Sequence, residues 1–273
     1  MRSPGAGKDP RQIRRMFAGI SGTYDLLNHL LSLNVDRSWR RKASRLLDPQ
    51  PGERILDVCS GTADLALELS RRSGAAAPGG TGHPPDGGGL IIGIDFCPEM
   101  LRIGEAKRRR LRAGALRQAG NPVPGTPEVR LGAADALRLP FRSGGFDGAS
   151  VAFGLRNLPD LDAGLREMFR VLRPRGRAVI LEFTRPPSPW FARLFGAYFR
   201  RVLPWIGRWI SRARDPAAAQ AYEYLPASVS EFPAPAALAA AMEAAGFQAV
   251  TFQRLTLGIA CLHRGEKPEG AAP

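Results

Sequence analysis

Cysteine, histidine and long apolar runs are scarce in this sequence of 273 residues. The three cysteines, Cys59, Cys97 and Cys261, lie far apart and form no CxxC pair, which argues against a disulfide framework and against a zinc site. No run of about 18 apolar residues occurs, so no transmembrane helix is predicted. The N-terminus also lacks the apolar segment of a signal peptide. These absences favour a protein of the reducing cytoplasm.

Acidic residues are also few: the chain has 25 aspartates and glutamates against 39 lysines and arginines, which gives a formal net charge of +14. Such a balance calls for an acidic partner, which is nucleic acid, an anionic membrane or an anionic substrate. The charge is clustered: residues 185–214 hold seven arginines and no acid. The alternative interpretation is an ordinary solvated surface.

The order of patterns along the chain predicts an α/β fold. Residues 11–48 are expected to form a helical cap of two helices, after which buried strands alternate with helices. The strands are predicted over 54–60, 90–96, 129–135, 146–154 and 176–184. Such alternation implies a parallel sheet with helices on both faces.

One domain is expected over 11–265, between disordered tails at 1–10 and 266–273. Residues 73–89 consist almost entirely of glycine, proline, alanine and small polar residues, which predicts a flexible insertion. A helix is predicted over 98–112 with a loop after it. The sequence does not indicate an oligomeric state.

Acidic residues follow three successive predicted strands. The first strand ends in ILDVCSGTADLA (55–66), where a glycine turn lets the backbone approach a ligand closely. Asp57 lies on that strand, Asp95 at the second strand end and Asp135 at the third. Asp95 suits two ribose hydroxyls, and Asp135 suits an adenine amino group, with Ala136 packing on the ring. Taken singly, each acid is as easily a helix cap or a turn residue.

A dinucleotide is the competing ligand, because dinucleotide-binding folds also have an acidic residue after the second strand. The turn CSGTAD (59–64) lacks the G-x-G-x-x-G spacing that a pyrophosphate needs. Asp57 would repel a pyrophosphate, whereas it suits a cationic methionine group. The turn, with Asp57, Gly61 and Thr62, resembles the first motif of class I S-adenosylmethionine (SAM)-dependent methyltransferases.

Longer segments resemble one family, the ubiquinone/menaquinone biosynthesis C-methyltransferases. They are YDLLNHLLSLNVDRSW (24–39), FGLRNLPD (153–160) and RVLRPRGRAVILEFT (170–184). The resemblance implies a Rossmann-like fold with a mostly parallel seven-stranded sheet and an N-terminal helical cap. It implies SAM as the cofactor and a prenylated quinol as the substrate, with demethylmenaquinol favoured over the benzoquinol of ubiquinone synthesis. The cofactor contacts that it implies are Thr62, Asp95, Asp135 and Ala136.

Four positions depart from the family pattern. Asp36 stands where the signature usually has histidine, and Arg175 stands where glycine is usual. Ala152 replaces a serine of some members, and Ala63 replaces a glycine of the general motif. We expect the Ala63 methyl group to narrow the methionine pocket. Asp36 and Ala63 also favour, to a small extent, a non-catalytic relative.

Methylation of a quinol ring requires that charge on the phenolate be favoured, so a cation is needed near the methyl donor. Arg156, after the fourth strand, is the candidate, and its alternative role is to anchor the loop through an ion pair. Glu182 either faces the site or pairs with an arginine. Asn157 either orients the ring or caps the helix that starts at 160. No metal is expected.

The N-terminal segment supplies candidates for proton removal. Tyr24 and Asp25 either take part in it or serve packing and capping. His29 has the pKa of a base near neutral pH, although a single helical histidine is more often a surface residue. The substrate-binding candidates are therefore Asn157 and His29.

An RNA methyltransferase is the main rival, but no RNA-binding module and no NPPY-like motif is present, so a nucleic-acid partner is not expected.

The region 185–230 is predicted to be a substrate lid or membrane-facing helices. Within it, residues 189–214 place aromatic side chains on one helical side and arginines on the other, as in an interfacial helix. The enzyme is then expected at the inner face of the cytoplasmic membrane, in transient contact with anionic lipid. The alternative is a lid whose aromatic side packs on the core.

Overall fold

The computed structural model describes residues 9–22, 34–75, 89–119, 126–197, 224 and 227–270. The helices are α1 (Pro10–Ile20), α2 (Val35–Leu47), α3 (Asp64–Ala75), α4 (Pro98–Ala119), α5 (Leu161–Val171), α6 (Pro189–Ala197) and α7 (Pro235–Ala244). The strands are β1 (Arg54–Val58), β2 (Leu90–Asp95), β3 (Glu128–Ala133), β4 (Phe146–Ala152), β5 (Leu172–Phe183), β6 (Gln248–Leu255) and β7 (Ala260–Glu266). A short 3-10 turn, Leu155–Asn157, follows β4.

The strands form one sheet in the order β3-β2-β1-β4-β5-β7-β6. The first five are parallel, and β7 runs antiparallel to both β5 and β6. The predicted mostly parallel sheet of seven strands is therefore confirmed. The chain order reverses between β1 and β4, and such a reversal opens a crevice at the carboxyl ends of the strands.

Helices cover both faces, as predicted, because each presents an apolar stripe at helical spacing. On one face, α2 and α3 bury Trp39, Leu47 and Leu69 in a core cluster with β1 and β5 residues. On the other, α5 and α7 bury a second stripe that includes Leu165 and Leu238. The central strands are buried between the two clusters, which holds their carboxyl ends rigidly.

Several predicted boundaries were wrong. Asp9 and Pro10 were predicted to lie in a disordered tail, but Pro10 begins α1 and the Asp9 carboxylate caps that helix by accepting a hydrogen bond from the Arg11 N–H. Helix α3 runs to Ala75, three residues into the predicted insertion, and α4 continues to Ala119 through what was predicted as a loop. Residues 76–88 of the insertion lie outside the described part of the chain.

The C-terminal tail was also predicted to begin too early. Glu266 ends β7, and Lys267 is buried. The Lys267 backbone N–H donates to Gly176 O, and its Nζ lies 4.7 Å from the Phe169 ring centroid. Lys267 is therefore a packed residue, because its aliphatic stem and cation both find partners on neighbouring elements.

Two stretches for which the sequence predicts functional roles are only partly described. Tyr24, Asp25 and His29 lie outside the described residues, so their predicted roles stay predictions. Of 189–214, the structure describes α6, where the Trp190 side chain is 72% exposed. Among the described residues, no helix is both long enough and apolar enough to cross a bilayer.

Candidate active site

The carboxyl end of β1 places Asp57 at the floor of the crevice. Its carboxylate accepts hydrogen bonds from the Ser60 and Ser150 hydroxyls, each at 2.7 Å. Burial nevertheless raises the pKa of Asp57 to about 6, because desolvation of the anion outweighs both hydrogen bonds. This carboxylate is stabilised by a ligand cation more than a solvated one would be.

The turn after β1 brings a backbone N–H against the second acid. Gly61 has a φ of +56°, a left-handed conformation that favours glycine. Its N–H donates to Asp95 Oδ2 at 2.9 Å, and the Cys97 N–H donates to Asp95 Oδ1 at 2.8 Å. Burial raises the pKa of Asp95. The Phe96 N–H is a third backbone donor, and the carboxylate retains acceptor capacity for a further one.

The third acid lies at the same edge of the sheet. β3 ends at Ala133, so Asp135 follows two residues later and not at the strand end itself. Its side chain is exposed and accepts a hydrogen bond from the Leu137 N–H at 2.9 Å, which is a turn contact. Ala136 is buried in the second core cluster. Their predicted contact with adenine stays a prediction.

Thr62 and Ala63, at the end of the turn, contact residues of helix α4. The Thr62 hydroxyl accepts from Lys107 Nζ at 2.9 Å, and the same Nζ is 2.6 Å from Asp64 Oδ1. Ala63 has a φ of +65°, and a Cβ built at Gly104 would lie 3.0 Å from its methyl group. The methyl group therefore packs against α4, where Gly104 leaves room. The expectation that it narrows the methionine pocket stays a prediction.

The turn after β4 is held by a buried ion pair. Arg156 Nη1 lies 2.7 Å from Glu182 Oε1, and the two side chains are 6% and 0% exposed. The guanidinium is also 5.4 Å from the Phe183 ring centroid. This is the pairing that the loop-anchor interpretation of Arg156 requires, and Glu182 is its partner. A cation is thereby fixed at the carboxyl ends of β4 and β5.

Asn157 does not cap the following helix, so that prediction was wrong. Asp160 is the cap, because its carboxylate accepts from the Ala163 N–H at 2.9 Å. The Asn157 amide instead contacts Tyr224, whose hydroxyl lies 3.1 Å from Asn157 Oδ1. Sequence reasoning missed Tyr224, since nothing in the pattern around it points to a strand end 67 residues earlier.

A second buried ion pair explains the departure at position 36. Asp36 pairs with Arg40 one turn later on α2, and both side chains are buried. Arg40 Nη2 is 3.8 Å from Asp64 Oδ2, and its guanidinium lies 5.5 Å from the Phe153 ring centroid. Asp36 therefore holds Arg40 against the elements that form the crevice. The i, i+4 spacing of opposite charges was the signal for this pair.

The strand order, the glycine turn and the acids at successive strand ends define the class I fold of SAM-dependent methyltransferases. A solved structure of such an enzyme from Thermotoga maritima superimposes with a TM-score of 0.59 over 93% of this chain and 98% of that chain. At 16% sequence identity, this likeness shows the fold alone.

Residues 6–267 match the model of the ubiE/COQ5 methyltransferase family, and the chain belongs to that family. A relative from Thermus thermophilus, named demethylmenaquinone methyltransferase, is 45% identical over 93% of this chain and 100% of its own length. A relative from Geobacter sulfurreducens is 41% identical over 94% of this chain and 88% of its own length. It is named ubiquinone/menaquinone biosynthesis C-methyltransferase UbiE.

Proposed function

We propose that this protein transfers a methyl group from SAM to a ring carbon of a prenylated quinol, with demethylmenaquinol as the preferred substrate. The observation that carries the proposal is the buried Arg156–Glu182 pair after β4 and β5, at the same edge of the sheet as Asp57, Asp95 and Asp135. The names of the relatives support it, and the double name of the Geobacter relative keeps the benzoquinol as a second candidate.

The residues present fit SAM. When bound, SAM supplies an electrophilic methyl group on a positively charged sulfur. Asp57 presents a buried carboxylate whose solvation is replaced by two hydroxyl donors, so it gains from a nearby positive charge. Asp95 accepts backbone N–H groups on both oxygens and retains acceptor capacity for a ribose hydroxyl. Gly61, in the left-handed turn, has no side chain, so a ligand can approach the backbone beside Asp57 and Asp95.

On the acceptor side, the residues after β4 favour the reactive form of the ring. Loss of a hydroxyl proton puts charge on the adjacent ring carbon, and a guanidinium near the oxygen lowers the energy of that anion. Arg156 supplies it, and Glu182 fixes its direction. Asn157 is the candidate to orient the ring. Tyr24, Asp25 and His29 are the predicted proton acceptors.

The direct test is product analysis. The protein is incubated anaerobically with SAM and a short-tailed demethylmenaquinol or the corresponding benzoquinol, and the products are examined by mass spectrometry. We expect the naphthoquinol ring to gain one methyl group at the higher rate. Methylation of neither quinol would refute the proposed function.

The role of Arg156 has its own test. Arg156→Lys keeps a cation for Glu182 but loses the planar fork, so the methylation rate should fall while the calorimetric SAM affinity stays within about twofold. Equal losses of rate and affinity would leave Arg156 as a loop anchor alone.

We propose further that the enzyme works in the cytoplasm and docks transiently on the anionic inner face of the membrane, where a polyprenyl quinol resides. The exposed Trp190 supports this, because tryptophan favours the headgroup region. Wild-type protein should sediment with anionic vesicles at low salt. The variant Trp190→Ala, or the double variant Arg200→Glu with Arg201→Glu, should bind these vesicles more weakly. Protein that stays in the supernatant would favour the lid interpretation of 185–230.

A further inference from the structure

We propose that Tyr224 is a substrate-binding residue, whose phenol oxygen accepts a hydrogen bond from a hydroxyl group of the quinol ring. The proposal rests on the function proposed above and goes beyond the residues that the sequence pattern indicated. It is carried by the contact between Tyr224 and Asn157.

The contact puts the Tyr224 hydroxyl at the carboxyl end of β4. Asn157 is the last residue of the turn Leu155–Asn157, directly after Arg156. The hydroxyl lies 3.1 Å from Asn157 Oδ1 in a partly buried position. It therefore lies near the end of β4, the strand that pairs with β1. Asp57 and Asp95 stand at the carboxyl ends of β1 and β2 on the same edge of the sheet, so a ring bound at Tyr224 would neighbour a methyl donor bound at those acids.

The direction of the hydrogen bond follows from a third group. The Phe153 carbonyl oxygen accepts hydrogen bonds only, and the Asn157 side chain is 3.4 Å from it. The atom of Asn157 that faces Phe153 is therefore Nδ2, and Oδ1 faces Tyr224. Tyr224 must donate its proton to Oδ1. The lone pairs of the Tyr224 oxygen then remain as acceptors for a hydroxyl group of a ligand.

The electrostatic surroundings suit an acceptor of this kind. Burial raises the pKa of Tyr224, while the positive charge of Arg156 opposes the rise. Tyr224 is thus a neutral phenol at neutral pH, and it keeps its own proton throughout. When the quinol oxygen loses its proton to a separate base, the Tyr224 hydroxyl can rotate from Asn157 to the new anion. A donor that acts only on the developing charge raises kcat more than it lowers KM.

The experiment compares Tyr224→Phe with the wild type and with Ser230→Ala. The control removes a hydroxyl that is exposed and bonded to the Ala227 carbonyl. Binding of a reduced short-tailed naphthoquinol is measured by calorimetry with S-adenosylhomocysteine present. Loss of one hydrogen bond should weaken that binding about 10-fold in Tyr224→Phe. SAM affinity should stay within about twofold, and kcat should fall about 10- to 100-fold.

A double-variant cycle tests whether Asn157 acts through Tyr224, and the quinol and SAM affinities together separate a substrate contact from a structural one. Asn157→Ala and Tyr224→Phe together should bind the quinol little worse than the poorer single variant, since Asn157 orients the Tyr224 hydroxyl. Quinol binding by Tyr224→Phe at the wild-type level, or an equal loss of quinol and SAM affinity, overturns the proposal. A wild type that binds the naphthoquinol but methylates no quinol counts against the proposed function, while the binding comparison still decides the role of Tyr224.

Discussion

Acids lie at both ends of the central strands, but their partners differ. At the amino end, the Glu53 carboxylate accepts hydrogen bonds from Arg177 Nη1 and Nη2 at 2.9 and 2.6 Å. Asp147 pairs with Arg173 Nε at 2.7 Å. At the carboxyl end, the hydrogen-bond donors to Asp57 are hydroxyl groups, and those to Asp95 are backbone N–H groups. Burial raises the pKa of both these carboxyls.

Under the proposed function, one residue type serves stability at one end of the strands and binding at the other. A buried acid paired with arginine has its charge compensated within the chain. The hydrogen-bond donors of Asp57 are neutral and the charge of Arg40 compensates it only in part, so this acid gains most when a positively charged ligand arrives. Sites of this kind are commonly kept at a cost in stability. The acidic edge is conspicuous in a protein whose net charge is +14.

The largest effect is expected from breaking the amino end. Glu53→Ala leaves the Arg177 guanidinium, which is 15% exposed, without its carboxylate, and should lower the free energy of unfolding by about 2–4 kcal/mol. Urea denaturation measures this loss, and SAM affinity of the folded variant should not change. Glu128→Gln, which breaks the exposed pair with Arg130, should leave stability unchanged. Equal stability of the two variants would contradict the comparison.

At the carboxyl end, Asp57 should make stability depend on pH in the opposite direction from a salt-bridged acid. Its pKa rises from 3.8 to about 6 on folding, so the folded protein binds the proton more tightly. Stability therefore falls as the pH rises from about 4 to about 6, by up to about 3 kcal/mol at ~1.4 kcal/mol per tenfold change.

Urea midpoints across that range measure the effect, and Asp57→Asn should remove this part of it. SAM affinity should rise with pH over the same window, because the ionised carboxylate attracts the cation. A wild type and Asp57→Asn with the same pH dependence would refute this account of Asp57.

Asp95→Ala should separate binding from stability. It removes an acceptor for two ribose hydroxyls, so SAM binding should weaken by about 1.5–3 kcal/mol. Because burial disfavours the charged carboxylate, the free energy of unfolding should stay nearly unchanged. Calorimetry on the folded variant checks the first point, and unchanged affinity would remove Asp95 from the site.

The smallest effect is expected from Arg175, near the amino end. Its φ of +64° explains why glycine is usual at this position. Arg175→Gly relieves this strain, but the greater freedom of the unfolded chain offsets part of the gain. The free energy of unfolding should therefore rise by only about 0.5–1 kcal/mol. Glu269→Gln removes the exposed partner of Arg175 alone and should change nothing. Thermal unfolding of both variants tests this, and a destabilised Arg175→Gly would contradict it.

Much of the fold followed from the sequence, because alternation of apolar strands with amphipathic helices is a property of neighbouring residues. Asp57, Gly61 and Asp95 could be assigned to one site since parallel strands bring their carboxyl ends to one edge. The boundaries at Ala75, Ala119 and Lys267 could not, because a helix or strand end depends on what packs against it.

The partners of the polar side chains were decided by the tertiary structure. Arg156 and Glu182 are 26 residues apart in sequence, and Asn157 and Tyr224 are 67 apart. Either contact requires β5 to lie beside β4, or the segment before α7 to return to the β4 end. The sequence by itself determined which residue types stand at the strand ends and so the class of ligand. Only the packing of distant elements decided which acids form an ion pair with an arginine, as Glu53 does, and which accept hydrogen bonds from neutral groups, as Asp95 does, because ion pairing depends on distances that sequence spacing does not contain.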